Sequence, residues 1–325
     1  MLHLGVLVTY QYRLLSVAAI LDVFETVNNF YKTEGKEPFF NINLLYAGDK
    51  PAADYFDRYH PLPINEAGNQ HLILVPAFAT DSINDTVKKN AAFISWLQQQ
   101  YQAGAEIASF CTGAFLLAAS GLLNGRRATT HVDATGSLAL NFPEILVKSD
   151  AVVTSDQNIC TSGGATSSFH LMLMLIEKYC GKAVAIYIAK VFAIDMDREQ
   201  QSYFGTFRPI REHTDELVLM AQQRISNSYH EAATIGELIG NIPASRRNVV
   251  RRFKQATGIT PIEYLQRTRI EAAKKMLEQT GKSIFEIMID SGYNDLKAFR
   301  QVFKKSVGMT PKAYREKFNT VKVYA

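Results

Sequence analysis

Two sets of residues in this sequence have types and spacings that could do chemistry. The first is a lone cysteine in ASFCTGAFLLAAS, where Cys111 and Gly113 stand between a β-rich run and an apolar helix-like run. A cysteine on a strand-to-helix turn can be exposed at the carboxyl edge of a sheet and near a helix N-terminus, which favours its thiolate. Nucleophilic catalysis also needs a base within hydrogen-bond reach and a third group to orient it. Thr112 follows Cys111 directly, and His131 stands downstream without an obvious acid partner. Three readings of Cys111 stay open: a lining residue of a ligand pocket at the sheet edge, a small buried residue in a tight turn, or a reactive thiol.

The second set is basic. SRRNVVRRFKQAT carries Arg246, Arg247, Asn248, Arg251 and Lys254 around an i, i+4 apolar pair, Val249 and Phe253. DLKAFRQVFKKSV carries Lys297, Arg300, Lys304 and Lys305 around Phe299 and Phe303. Arg and Asn are the side chains that pair in bidentate fashion with guanine and adenine edges. Lys304 and Lys305 suit phosphates better than bases. Each of these residues taken singly could also be an ordinary solvated charge; as a patterned set they point to double-stranded DNA.

The elements that must position the basic set are legible because they are repeated. FKQATGITPIEY (residues 253–264) recurs 50 residues later as FKKSVGMTPKAY (303–314), with Phe, Lys, Gly, Thr, Pro and Tyr coinciding. Two copies are too few for a solenoid, so the pattern is a duplicated supersecondary unit. In the first, Thr234 and Glu237 predict a capping box, Ser245 caps a second helix, and Gly258 ends it. In the second, Ser283 with Glu286, Asp295 and Gly308 repeat those roles. Helix, short turn, helix, twice over, is the helix-turn-helix pattern. Between the units, Ile262, Leu265, Ile270, Ala273 and Leu277 have roughly helical spacing. Such a spacer, about 25 Å long, could set two recognition helices into major grooves about one turn of DNA apart. Gly236 and Gly240 weaken the first helix by about 1 kcal/mol each relative to Ala.

The elements around Cys111 alternate instead. LHLGVLVTY, FFNINLLYA, HLILVPA and AEIASF read as strands, as do ATTH, AVVTS and NICTS further on. Helices are expected near 16–30, 84–102, 164–180 and 182–194, which predicts an α/β domain with a mostly parallel sheet and helices on both faces. The expected organisation is an α/β domain over 1–195, a linker over 196–215 containing FRPIREH, and an all-α domain over 216–325. Charge divides in the same way. Residues 216–325 hold 19 Lys and Arg against 10 Asp and Glu, whereas the first 215 hold 16 against 21. A basic domain on an acidic body suits a polyanionic partner.

Composition narrows the class. With 47% hydrophobic and 20% charged residues the chain reads as a folded globular protein. No apolar run approaches the ~20 residues that span a bilayer, and the N-terminus reads as a buried strand, not a signal peptide. Three cysteines make no disulfide framework, so a cytoplasmic location is expected. Cys160 and Cys180 read as core packing. His131 and His170 lack ligand-spaced companions, so neither a metal nor a cofactor is expected. The Gly163–Gly164 pair opens a helix whose amides could bind an anion, although a tight turn explains it equally well.

RRFKQATGITPIEYLQRTRIEAAKKMLEQT and SGYNDLKAFRQVFKKSVGMTPKAYR resemble the AraC/XylS family of regulators, whose DNA-binding fold of two helix-turn-helix units joined by one helix is then expected here. The segments around Cys111, with GLLNGRRATTH, TSGGATSS and SVAAILDVFETVN, resemble the PfpI-like, glutamine-amidotransferase-like domain with its flavodoxin-like fold. The two together resemble the GlxA family of regulators. PfpI-like hydrolases place a histidine after the cysteine, where this chain has Thr112. Other relatives bring an acidic residue to the thiol from a position that aligns with Ser16. The resemblance therefore implies a retained fold with an incomplete catalytic set, and an effector pocket around Ser16, Cys111, Thr112, Gly113 and His131. At His170 the family more often carries an acid, and at Val132 an aromatic residue. The resemblance also implies a homodimer and a small, amino-acid-derived or otherwise nitrogenous effector. The alternative is a cysteine hydrolase or amidase carrying a DNA-binding domain.

Overall fold

The computed structural model describes residues 1–49, 56, 59, 61–164, 166–196, 205, 207, 209, 213–231, 234–240 and 242–320. The chain divides into two compact units, Met1–Gln201 and Ser202–Ala325. Most of the expected linker over 196–215 lies outside the described residues. Within it, Phe207 packs edge-on against Tyr264 of the second unit, with centroids 5.2 Å apart.

The first unit is built on a seven-stranded sheet of order β3-β2-β1-β4-β5-β9-β8. Its strands are β1 (Leu2–Leu7), β2 (Phe40–Tyr46), β3 (Leu62–Pro63), β4 (Leu72–Val75), β5 (Glu106–Phe110), β8 (Val153–Asp156) and β9 (Ile159–Ser162). All neighbours pair in parallel except β8 with β9. A separate two-stranded ribbon joins β6 (Arg127–Ala128) to β7 (Leu146–Val147).

Strands buried on both faces explain why the sequence shows short apolar runs with little alternation. Leu4, Val6, Leu72, Leu74, Ala108 and Phe110 pack on one face with α1 (Leu14–Thr33), α6 (Ser167–Cys180) and α7 (Lys182–Val191). Leu7, Ile73, Val75 and Ile107 pack on the other with α3 (Ala92–Gln102) and α4 (Ala114–Ala119). A further short helix, α5 (Thr135–Asn141), follows β6.

Two details differ from the sequence reading. The helix expected over 84–102 forms as α2 (Ile83–Lys89) and α3, interrupted at Asn90. Asn90 is buried and ties down the loop after β1: its Oδ1 accepts from the Tyr10 amide at 2.7 Å, and its Nδ2 donates to the Tyr10 carbonyl at 3.1 Å. The strand expected at ATTH stops at Ala128, because the fully buried Thr129 and Thr130 turn aside to bond to other segments.

The second unit is helical: α8 (Glu216–Ser228), α9 (Ile235–Ile239), α10 (Arg246–Thr257), α11 (Pro261–Gln279), α12 (Ile284–Asp290), α13 (Leu296–Val307) and α14 (Pro311–Phe318). The capping boxes at Thr234/Glu237 and Ser283/Glu286 are both formed, Ser245 and Asp295 cap their helices, and Gly258 and Gly308 end theirs in the left-handed conformation. Each half has its own core, one around Val218, Ile225, Leu238, Phe253 and Tyr264, the other around Ile270, Leu277, Met288, Phe299 and Phe303. The spacer helix α11 serves both cores and, at 19 residues, is about 28 Å long. The helix α9 is five residues long, with Gly236 inside it and Gly240 as its C-cap.

Candidate functional site

The sheet order reverses between β1 and β4, the place where open α/β folds form a crevice at their carboxyl edge. The loops there are zipped together by the backbone. Arg13 donates its amide to Ala77 at 2.7 Å, Ala79 donates to Gln11 at 2.7 Å, and Tyr12 bridges Phe78. Cys111 follows β5 at this edge with φ +53°, a conformation that costs a non-glycine residue about 1–2 kcal/mol. The turn is held from several sides. Thr130 donates its hydroxyl to the Cys111 carbonyl at 2.8 Å, and the Thr112 hydroxyl accepts from the Phe78 amide at 2.8 Å. Gly113 lies so close to β4 that a Cβ would stand 2.5 Å from the Pro76 carbonyl oxygen and 2.7 Å from that of Val75.

Ser16 and His131 reach the same edge from α1 and from the segment after β6. The Ser16 hydroxyl accepts from the Ala77 amide at 3.1 Å, and His131 Nδ1 accepts from the Asp133 amide at 3.2 Å. His131 also lies against Gly164, where an added Cβ would meet its ring at 3.2 Å. Ser16, Cys111, Thr112, Gly113 and His131 therefore gather at one edge, but their polar atoms are largely engaged with backbone. Burial pushes the Cys111 thiol up, only partly offset by the Thr112 amide and hydroxyl and the Arg13 charge. Two surface hollows lie away from this edge, one beside Tyr31 and His71, the other beside Asp215 and Arg252.

Sequence reasoning missed a group of hydroxyls at this edge. Thr9, Ser109, Ser162 and Ser167 are all buried, and their side-chain oxygens have no hydrogen-bond partner among the described residues. They follow or end β1, β5 and β9, or begin α6. An unpaired buried hydroxyl costs about 1–3 kcal/mol. Nothing marks them in the sequence, because Ser and Thr at strand ends are common turn residues. Cys160 and Cys180 sit away from this edge, and burial pushes each thiol up to about 11. Among the described residues no group of three His, Cys, Asp or Glu is placed to hold a metal ion.

The basic residues are arranged oppositely. On α10, Val249 and Phe253 are buried while Arg246, Arg247, Arg251 and Lys254 are exposed and Asn248 is partly so. On α13, Phe299 and Phe303 are buried while Lys297, Arg300, Lys304 and Lys305 are exposed. Neither helix contains an acidic residue. Arg251 donates to the Asn248 amide oxygen at 3.2 Å, which aligns two side chains able to read bases. Arg252 is set apart: it donates to Asp215 at 2.7 Å and braces α10 against the cap of α8. That ion pair holds the Asp215 carboxyl below its usual range.

Fold and sites together define a two-part chain, a doubly wound α/β domain with a cysteine turn followed by a duplicated helix-turn-helix. Residues 80–178 match the model of the DJ-1/PfpI family, and residues 241–317 match that of a helix-turn-helix domain. Among curated proteins it is similar to the HTH-type transcriptional regulator GbdR of Pseudomonas aeruginosa, 26% identical over 231 residues, which is 69% of this chain and 61% of the relative. The HTH-type transcriptional regulator CdhR of the same species is 26% identical over 232 residues, 68% of this chain and 66% of the relative. The match thus spans just under two thirds of each. Among solved structures, an AraC family transcriptional regulator from Pseudomonas putida is 17% identical at a TM-score of 0.49, covering 59% of this chain and all of the other.

Proposed function

We propose that this chain is a sequence-specific, DNA-binding transcription regulator. The observation that carries the reading is the pair of recognition helices α10 and α13, capped alike, buried along one stripe and exposing on the rest mainly basic and neutral polar side chains with no acid. Arg246, Arg247, Asn248 and Arg251 would read bases in one half-site. Lys254, Lys297, Arg300, Lys304 and Lys305 would supply the remaining contacts, Lys304 and Lys305 to phosphates. The names of its relatives as transcriptional regulators support the same reading.

The α/β domain is assigned effector sensing and no catalysis. Support comes from the engaged polar atoms of Ser16, Thr112 and His131, and from the burial that favours the neutral Cys111 thiol. An amino-acid-derived effector at the carboxyl edge could satisfy the buried hydroxyls of Thr9, Ser109, Ser162 and Ser167. Such a ligand regulates only by binding two states of the protein with different affinity. The regulator acts as a homodimer in the cytoplasm, reading repeated half-sites.

The test is binding of the full-length protein to labelled DNA from upstream of its own gene, at two salt concentrations, against scrambled DNA. Selective binding that weakens with salt is expected, with a loss of roughly 30-fold or more in Arg246→Ala/Arg251→Ala, since each bidentate base contact contributes about 1–3 kcal/mol. Binding indifferent to sequence and to the double substitution would sink the reading.

A further inference from the structure

The two helix-turn-helix units have separate cores, and α11 is one brace between them. A single helix fixes a distance but bends gently along its length, so it does not by itself fix how one unit is rotated against the other. A second brace is present at Arg269. Its Nε donates to the Tyr229 carbonyl and its Nη2 to the Glu231 carbonyl, both at 2.8 Å, gripping the end of α8 in the first unit. The same guanidinium lies 5.5 Å from the centroid of Tyr293, in the turn of the second unit. Tyr293 in turn packs on Phe299 of the recognition helix α13, with centroids 5.4 Å apart.

Between them stands Gly292, at φ +85°, where a Cβ would be 2.2 Å from the Tyr229 carbonyl oxygen and 2.8 Å from Arg269 Nε. The two units therefore touch backbone to backbone at the point that Arg269 clamps.

The repeat explains why this arginine differs from its counterpart. Arg269 stands eight residues after Pro261, and Asn319 stands eight after Pro311. Asn319 Nδ2 donates to the Leu277 carbonyl at 2.7 Å and to that of Thr280 at 3.3 Å, a counterpart tie to the end of α11, though to different carbonyls of the repeat. An asparagine suffices for that tie within one unit. Only the arginine also reaches a ring in the neighbouring unit. The turn it reaches has likewise diverged: Gly292 and Tyr293 stand where the first unit has Ile242 and Pro243.

We infer that Arg269, Gly292 and Tyr293 form a clasp that fixes the rotation of the second helix-turn-helix unit against the first, and so sets the spacing of the two DNA half-sites one chain can engage. Arg269 is a positioning residue; it is not assigned a DNA contact. The DNA half of this inference rests on the regulator reading above, whereas the clasp itself can be tested without DNA.

The test uses full-length protein with Cys180→Ser and spin labels at Gln255→Cys and Gln301→Cys, exposed positions on α10 and α13. Labelled chain is diluted with unlabelled chain so that only distances within one chain are read. The decisive variant is Arg269→Asn, the residue that the repeat itself places at position 319, with its fold checked by circular dichroism and melting. Arg269→Asn and Gly292→Ala should broaden an otherwise narrow distance distribution. An equally narrow distribution in folded Arg269→Asn overturns the clasp.

The second arm uses a site selected from random DNA by the wild-type chain. Joint engagement of two modules multiplies affinity by about 10²–10⁴. Inserting half a helical turn, about 5 base pairs, should therefore cost the wild type on the order of 100-fold but Arg269→Asn less than about tenfold. An equal penalty in both proteins overturns the spacing role. If no site is selected at all, the regulator reading fails, while the distance measurement still decides the clasp.

Discussion

The sheet edge around Cys111 and the recognition helices are built on opposite plans. At the edge, the candidate side chains are buried or half-buried and tied to backbone: Ser16 to Ala77, Thr112 to Phe78, Thr130 to Cys111. On α10 and α13 the side chains assigned to DNA are, Asn248 apart, solvent-exposed and long, and the backbone beneath them is ordinary capped helix. The first site is a shape held in place and intolerant of added atoms. The second is a charge pattern carried on a tolerant scaffold. A substitution should therefore damage folding in one and binding in the other.

The largest expected effect is Gly113→Ala. The new methyl would meet the Pro76 and Val75 carbonyl oxygens at 2.5 and 2.7 Å, and both are backbone atoms that cannot swing away. Overpacking of this kind costs about 1–3 kcal/mol, sometimes more. For a unit of this size that lowers the melting midpoint by roughly 2–12 °C. Trp96, the chain's one tryptophan, lies in the core of the same unit, so its fluorescence reports that transition. An unchanged midpoint would mean that the turn after β5 has slack, and the contrast between the two sites would fail.

The matching change on the other side is Lys304→Ala/Lys305→Ala. Both side chains are exposed, so the melting midpoint should stay put. Affinity should fall on all DNA sequences alike, and the slope of log affinity against log salt should lessen by about 1.8 if both lysines meet phosphates. A loss confined to one DNA sequence would reassign the pair to base reading.

The same contrast governs what could be read from the sequence. The second unit was legible because its instructions are local and stated twice: capping boxes at Thr234/Glu237 and Ser283/Glu286, glycines after α10 and α13, apolar pairs at Val249/Phe253 and Phe299/Phe303. The helices α8 and α14 were not anticipated, although Asp215 and Thr310 cap them locally, because neither helix belongs to the helix-turn-helix pairs that drew the reading. The parallel sheet was legible from short apolar runs, but the break at Asn90 was not, because its cause is a bond to Tyr10 eighty residues away. The orphaned hydroxyls and the Arg269 clasp were invisible for the same reason. Each depends on which backbone carbonyl or core lies opposite, and periodicity carries no such information.

The smallest effect expected is in the thiol itself, and it bears most directly on the rival hydrolase reading. Because burial raises the Cys111 pKa, the neutral thiol is the state the fold favours. The stabilisation this gives is fully present below the unfolded thiol value of about 8.5 and is lost as pH rises through the folded value. Alkylation of Cys111 in the folded protein at pH 6, followed peptide by peptide by mass spectrometry, should then be no faster than in the unfolded chain. Its rate should climb only in alkali. Rapid modification at pH 6 would require a thiolate held by a nearby cation or base, with His131 released from the Asp133 amide or the Arg13 charge acting more strongly than burial, and the α/β domain would then have to be assayed as an enzyme.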